Sequence, residues 1–324
     1  MTEPVSLADI RAAADRISGV VVRTPLVPYA MADAERPLWI KPESLQPTSA
    51  FKLRGAYNKI SQLLPQARER GVVAHSSGNH ARAVAWVAQR LGLHAVIVMP
   101  DTTPPNKVAA VRSLGAEIVI VPPSERDTRP FELADQYGYL PVPPFDDPAI
   151  VAGQGTVGLE ILADLPDADV VLVPVSGGGL AAGVATAVKA LRPRTLVVGV
   201  EPELASDAAQ SLRERRRVVW EPEQTYRTVA DGLRTTGLGV VPWEQISRYL
   251  DEIVTVTEEQ LLDAVRRLAL DARLVAEPSG AVTFAAYLAG ATTGKHVAIL
   301  SGGSVDPRLL ARVLTETDRE EVVL

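Results

Sequence analysis

The chain has 324 residues, 47% of them apolar, with 39 acidic and 33 basic side chains and a formal charge of -6. That length suggests about two domains with full cores, and an acidic balance without a basic cluster argues against a nucleic-acid surface. The absence of cysteine excludes disulfides, thiolate nucleophiles and cysteine-based metal sites, and it suits a reducing cytoplasm.

Met1-Thr-Glu-Pro-Val5 has neither a basic leader nor an apolar core, so no signal peptide is expected. A first helix is predicted from Ser6, with Asp9 completing a capping box. A strand over 38–41 leads to Gln46-Pro-Thr-Ser-Ala-Phe51-Lys52-Leu-Arg-Gly-Ala56, where a turn opens a helix running toward Leu64. Beyond it, short Val/Ile/Leu runs alternate with helical segments. Strands are predicted over 72–75, 95–99, 117–121, 170–175, 196–200, 253–256 and 297–300. Helices are predicted over 81–91, 105–114, 153–165, 181–191, 258–271 and 279–288. Continuous apolar strands joined by helices indicate an α/β fold of open, twisted, mostly parallel sheets with helices on both faces. Pro141-Val-Pro-Pro144 reads as a stiff boundary, which sets a small domain over 72–147 against a large one built from 1–71 and 148–324. Arg213-Glu-Arg-Arg-Arg217 reads as a solvated helix face. The apolar stretches are interrupted well short of the ~20 residues of a membrane span.

Chemistry is suggested first by Lys52. A helix N-terminus carries roughly half a positive charge, so a lysine there is pushed toward its neutral, nucleophilic form, suited to condensing with an aldehyde. Alone it reads as one more surface lysine. Three Gly/Ser-rich turns, each following a strand and opening a helix, change that reading: Ser76-Ser-Gly-Asn-His80, Ser176-Gly-Gly-Gly-Leu180 and Ser301-Gly-Gly-Ser304. Each could hold an anion through inward-pointing amides. Gly177-x-Gly179-x-x-Ala182, with Glu201 ending the next strand 22 residues after Gly179, also fits a relaxed dinucleotide fingerprint. A dinucleotide leaves Lys52 and the other two loops unexplained, whereas one phosphate on an aromatic aldehyde accounts for more, with the phosphate on 176–180, the ring near Asn79 and Ser301, and the carbonyl carbon on Lys52.

With these blocks in hand, the chain resembles the pyridoxal-phosphate enzymes of the tryptophan-synthase-β fold type (fold type II), specifically the serine/threonine dehydratase and serine racemase family. The resemblance runs from Arg23-Thr-Pro-Leu26 to Ser301-Gly-Gly-Ser-Val-Asp306. It rests on Lys41-Pro-Glu-Ser-Leu-Gln46, Ser49-Ala-Phe-Lys-Leu-Arg-Gly55, the 76–80 loop, Ala152-Gly-Gln-Gly-Thr156, Ala230-Asp-Gly232 and Glu277-Pro-Ser-Gly280 in that order. It implies a large cofactor-binding domain with a smaller one, an imine between Lys52 and the cofactor, and Phe51 packed near the ring. It implies Asn79 on the ring hydroxyl, Glu277 at the cofactor, and Ser176, Gly177, Gly178, Gly179 and Leu180 cradling the phosphate. Ser301 would meet the pyridine nitrogen. Being neutral, it would weaken the ring as an electron sink and favour β-elimination over transamination.

By the same resemblance Ser76, Ser77, Asn79 and His80 would bind substrate, and the reaction would be loss of ammonia from L-threonine, L-serine or a related β-hydroxy amino acid. Ser77 could also return a proton to Cα and racemise serine, or it could merely cap the helix. Glu201, Ala205 and Asp207 match a divalent-cation site for Mg²⁺ or Ca²⁺; without a metal, they read as a strand end and a helix cap. Four positions depart from the commoner pattern: Arg82 stands where Gln is usual, Pro143 where His is common, Ser176 for a frequent Gly, and Ser304 where Asn often follows. Arg82 facing the cleft would favour an acidic substrate such as 3-hydroxyaspartate; otherwise it reads as solvent-facing. The chain stops 18 residues after Asp306, so the C-terminal regulatory domain of biosynthetic threonine dehydratases is not expected. A homodimer is.

Overall fold

The protein is described by a computed structural model over residues 4–290 and 293–315. The first three residues and the last nine, on which the expectations about the two ends partly rest, lie outside the described residues. The strands are β1 (Val27–Pro28), β2 (Leu38–Pro42), β3 (Val72–His75), β4 (Ala95–Pro100), β5 (Glu117–Val121), β6 (Leu140–Pro141), β7 (Val170–Pro174), β8 (Leu196–Pro202), β9 (Glu252–Val256) and β10 (His296–Leu300). The helices up to the chain's midpoint are α1 (Leu7–Ile17), α2 (Lys52–Gln62), α3 (Leu64–Arg70), α4 (Asn79–Leu91), α5 (Pro105–Arg112), α6 (Arg129–Tyr137) and α7 (Pro148–Asp164). Those that follow are α8 (Gly179–Leu191), α9 (Asp207–Glu214), α10 (Pro222–Thr225), α11 (Val240–Tyr249), α12 (Glu258–Leu270), α13 (Pro278–Leu288) and α14 (Pro307–Thr315).

Two sheets result, one ordered β1-β2-β10-β7-β8-β9 and the other β5-β4-β3-β6. Every pairing is parallel except β1 with β2. Strand alternation feeds two cores at once. Val171 and Val173 of β7 face α1, α7, α8 and α11, whereas Val170 and Leu172 face α12, α13 and α14. The smaller sheet divides likewise: Val72 and Ala74 pack under α2, α3 and α4, and Val73 packs toward α6. Among the described residues, no helix is long and apolar enough to cross a membrane.

Each predicted strand is present, with ends within two residues of expectation. Ser6 caps α1, and Asp9 closes the capping box. The largest boundary difference is α7, which starts five residues before the predicted 153. Asp147 caps it by accepting from the amides of Ala149 and Ile150, and Pro148 sits in its first turn, where a missing N–H costs nothing. The basic run is a helix end rather than a helix face. Arg215 turns to φ +54° and stops α9, Arg216 pairs with Glu214, and Arg217 donates to the Leu238 carbonyl. Pro141 belongs to β6, so the stretch read as a boundary also supplies an edge strand.

Close helix contacts bring the future site together. A Cβ on Gly153 would lie 2.6 Å from Gly55 Cα, and one on Gly183 would lie 2.3 Å from Val151 O. Only glycine lets α2 lie against α7, and α7 against α8, at this separation. Lys52 at the start of α2 and the glycine turn opening α8 are thereby fixed to one helix between them.

Candidate active site

Lys52 is the first residue of α2, and its Nζ donates to Pro144 O at 2.7 Å and lies 5.2 Å from the Phe51 ring centroid. Burial pushes its ammonium down to about 8, so the neutral amine is accessible near physiological pH. The direction agrees with the sequence reading. The cause differs, because removal from water is the dominant influence here rather than the helix field.

The backbone around Lys52 is clamped to the loop after β10. Phe51 N donates to Ser301 O at 3.1 Å, Gly303 N donates to Ser49 O at 2.9 Å, and Ala50 bridges Gly302. Ser49 holds φ +60°, a left-handed turn uncommon outside glycine and stabilised here by that clamp. Ser301 itself is buried, with its hydroxyl 3.5 Å from Ser279 O.

The same loop reaches the 76–80 turn. Glu277, the cap residue of α13, donates its amide to Gly302 O at 3.2 Å and accepts from Asn79 Nδ2 at 2.5 Å. A Cβ at position 302 would sit 2.2 Å from Glu277 Oε1 and would displace the carboxylate that holds Asn79. Burial pushes Glu277 up to about 7, with the Asp231 charge adding to it and the Asn79 hydrogen bond opposing. Asn79 Oδ1 is buried without a partner, an acceptor left for a group not belonging to the protein. Within the turn, Ser76 Oγ accepts from Gly78 N at 3.0 Å, and Ser77 is half-buried. The His80 side chain is engaged elsewhere, which leaves only its backbone for the turn: its Nε2 sits 2.8 Å from Val142 O, and burial, with the Lys52 charge second, pushes it down to about 3. It is a neutral, packed imidazole.

The 176–180 turn is held against the Lys52 pocket by residues the sequence reading did not single out. Phe145 follows the Lys52 acceptor and lies on Gly177, where a Cβ would come within 2.4 Å of its ring. Gly178 takes φ +89°, and Gly239 N donates to Gly177 O. Ser176 Oγ lies 2.7 Å from Thr235 Oγ1 and accepts from Thr235 N at 3.3 Å. The turn opens the 13-residue helix α8, whose first amides and dipole suit an anion. Pro144 acts through a backbone carbonyl and Thr235 through a lone hydroxyl; neither carries a residue pattern that a sequence reader could pick out.

Glu201, Ala205 and Asp207 form a separate buried cluster. Glu201 accepts from Ala208 N and Ala209 N at 3.2 and 2.8 Å, so its carboxylate faces the first turn of α9 with acceptor capacity to spare. Burial first, and then the Asp207 charge, raise Glu201, while burial pushes Asp207 up to about 7 and leaves its Oδ2 without a partner. Two acids raised by burial beside one unsatisfied oxygen suit a hard cation.

These features fit a phosphate-bearing aldehyde: an amine tuned by burial, an unpaired acceptor at Asn79, and a glycine turn at a helix N-terminus. The comparisons agree. The family described as pyridoxal-phosphate dependent enzyme matches residues 17–302. An L-threonine ammonia-lyase of Thermotoga maritima is 42% identical over 321 residues, covering 96% of this chain and 79% of that protein. The crystal structure of a T.th. threonine deaminase is similar with a TM-score of 0.87 and 45% identity, over 93% of this chain and 99% of that one. A maize serine racemase structure gives a TM-score of 0.90 at 35% identity, over 96% and 97% of the two chains. On its two-sheet fold, its site chemistry and a match over most of its length, the chain belongs to the pyridoxal-phosphate dependent enzymes.

Proposed function

We propose that the protein is an ammonia-lyase for β-hydroxy amino acids, converting L-threonine or L-serine to the 2-oxo acid and ammonia. The observation that carries this is the Lys52 amine, pushed down to about 8 and clamped to the loop that holds the neutral Ser301, which would face the ring. The threonine-lyase names borne by similar chains support it.

Bound pyridoxal phosphate supplies the electron sink that lets the α-proton and the β-hydroxyl leave. The protein does the rest. Amides of residues 176–180 would hold the phosphate, with Phe51 against the ring and Asn79 beside the ring hydroxyl. The 76–80 amides would fix the substrate carboxylate and so the direction of the Cα–H bond. The Lys52 amine would take the α-proton, being half-buried and neutral enough to accept it. Water lost in the elimination returns on hydrolysis, so the net products are a 2-oxo acid and ammonia. A Ser301 that carries no charge would keep electron density from resting on the ring, which favours expulsion of the β-substituent.

Holoenzyme incubated with L-threonine or L-serine should release 2-oxo acid and ammonia in equal amounts. Failure with both, and with 3-hydroxyaspartate, overturns the assignment. In the same assay D-serine reads the Ser77 hydroxyl: Ser77→Ala should remove D-serine formation while elimination persists.

Glu201, Asp207 and the Ala205 carbonyl would hold Mg²⁺ or Ca²⁺ as a structural ion. Chelator treatment should lower the melting temperature by roughly 5 °C, from the ~2.7 kcal/mol of a site held at a hundredfold its dissociation constant. Magnesium or calcium should restore it, and Asp207→Asn should make the protein indifferent to chelator. The reading also carries a homodimer in a reducing cytoplasm, supported by the family resemblance and the cysteine-free chain. It includes a small domain over 72–147, supported by the four strands of the smaller sheet lying in that span.

A further inference from the structure

Two of the four positions that depart from the commoner family pattern touch each other. Arg82 Nη1 donates to Ser304 Oγ at 2.8 Å, from one sheet's helix α4 to the loop after β10 of the other. Arg82 is neither solvent-facing nor free to receive a substrate's second carboxylate through that nitrogen. Its near amide is tied into the helix, Arg82 N donating to Gly78 O at 3.2 Å. Both side chains are half-buried, which limits solvent screening of the contact.

The position of this bond in the site gives it consequences. Ser304 follows Gly303, which is bonded to Ser49, and the 301–303 segment carries the clamp on Phe51 and Lys52. At the other end, Arg82 lies one turn beyond Asn79, the residue already tied to Glu277. The guanidinium is close enough to Glu277 for its charge to oppose that acid's upward shift. Packing seats α4 on the smaller sheet, and the Asn79 bond ties it to the Glu277 side of the site at one point. A second tie ~4.5 Å further along the axis also registers its direction against the loop after β10. The turn preceding α4 is the one whose amides would take the substrate carboxylate, so its aim relative to the Lys52 amine depends on that direction. Other contacts across the seam, Lys107 with Asp231 and Arg126 with Tyr226, are farther out and more exposed.

We propose that Arg82 and Ser304 are a coupled pair of positioning residues that register the substrate-carboxylate turn on the Lys52 clamp. The proposal rests on the elimination reading for its kinetic arm only. Arg82→Ala and Ser304→Ala should each raise KM for the amino acid roughly tenfold, as expected for losing a hydrogen bond to a charged group, with a smaller change in kcat. The double variant should be no worse than the worse single, because both remove one bond. Arg82→Gln with Ser304→Asn, an amide pair able to bridge the same gap, should recover most of the loss. A purely structural role would lower the melting temperature without this KM selectivity.

Hydrogen exchange of amides 79–83 in the cofactor-loaded, substrate-free protein gives an independent readout. It should quicken in each single variant and no further in the double. Additive effects in the double, or unchanged KM with unchanged exchange, overturn the pair. If Arg82→Ala does not fold, Arg82→Gln alone keeps the side-chain stem while removing the charge and tests the same bond. If the parent releases no 2-oxo acid, the function fails, while the exchange pattern still decides the tether.

Discussion

Lys52→Ala should lower the elimination rate at least roughly 10³-fold, in line with the loss of a positioned base that also anchors the cofactor. Stability of the cofactor-free protein should hardly change. Lys52 makes a single hydrogen bond, to Pro144 O, and has no ion pair among the described residues, so burial is a net cost to its ammonium form. Compared without cofactor, the variant's melting temperature should therefore equal or slightly exceed the parent's. Lys52→Arg should not rescue activity, because guanidinium stays protonated and cannot accept the α-proton. pH supplies a second check. The amine's value of about 8 means that the cofactor-free protein should capture pyridoxal phosphate faster as pH rises toward 8 and level off above it. Borohydride reduction of the loaded parent should label the peptide containing Lys52. An active Lys52→Ala enzyme, or a label on another lysine, sinks the assignment.

What was legible in the sequence follows from how local each signal is. The central strands are uninterrupted Val/Ile/Leu runs, because both faces of a parallel sheet are buried; β7 and β10 are examples. The three turns announce themselves because glycine and serine recur where a strand gives way to a helix. By contrast β6 is a two-residue edge strand ending in proline, and α11 opens at Gly239 without a side-chain cap. Neither has enough periodicity to read. The helix-ending conformation of Arg215 is one that arginine rarely takes, so composition pointed the wrong way. At the site, Lys52 and its neighbours were visible as a motif, but its hydrogen-bond acceptor is Pro144 O, 92 residues away, and the residue packed on the 176–180 turn is the adjoining Phe145. Arg82 and Ser304 each stood out singly. Only the fold, which places them 2.8 Å apart across 222 positions, shows that they act as a pair.

The largest stability effect should come two residues beyond Lys52. Arg54 is fully buried and spends its guanidinium on two acids: Nε and Nη2 on the Glu43 carboxylate at 2.7 and 2.8 Å, Nη1 and Nη2 on Glu160 at 2.6 and 2.8 Å. Lys41 completes the set with Glu160 at 2.6 Å, so two cations face two anions beneath α2. Burial alone would push Glu43 up, but the charge and hydrogen bonds of Arg54, then Lys41 and Thr24, outweigh it and hold the acid below its ordinary value. Arg54→Met leaves Glu43 buried and unpaired and should cost about 3–5 kcal/mol at pH 7, measured by denaturant unfolding. The sign of the pH response is fixed by Glu43. In the parent its depressed value stabilises the fold above the ordinary carboxylate range, and that stability is lost as acid protonates it. In the variant only Lys41 and Thr24 still oppose burial, so Glu43 rises and protonation relieves the fold. The gap between the two proteins should therefore narrow from pH 7 toward pH 4. Removing the orphaned acid as well, in Arg54→Met/Glu43→Leu, leaves Lys41 balanced by Glu160 and should recover a large part of the loss. A single variant that loses under about 1 kcal/mol, or a gap that widens in acid, would mean that the buried charges under α2 are not what holds Lys52's helix in place.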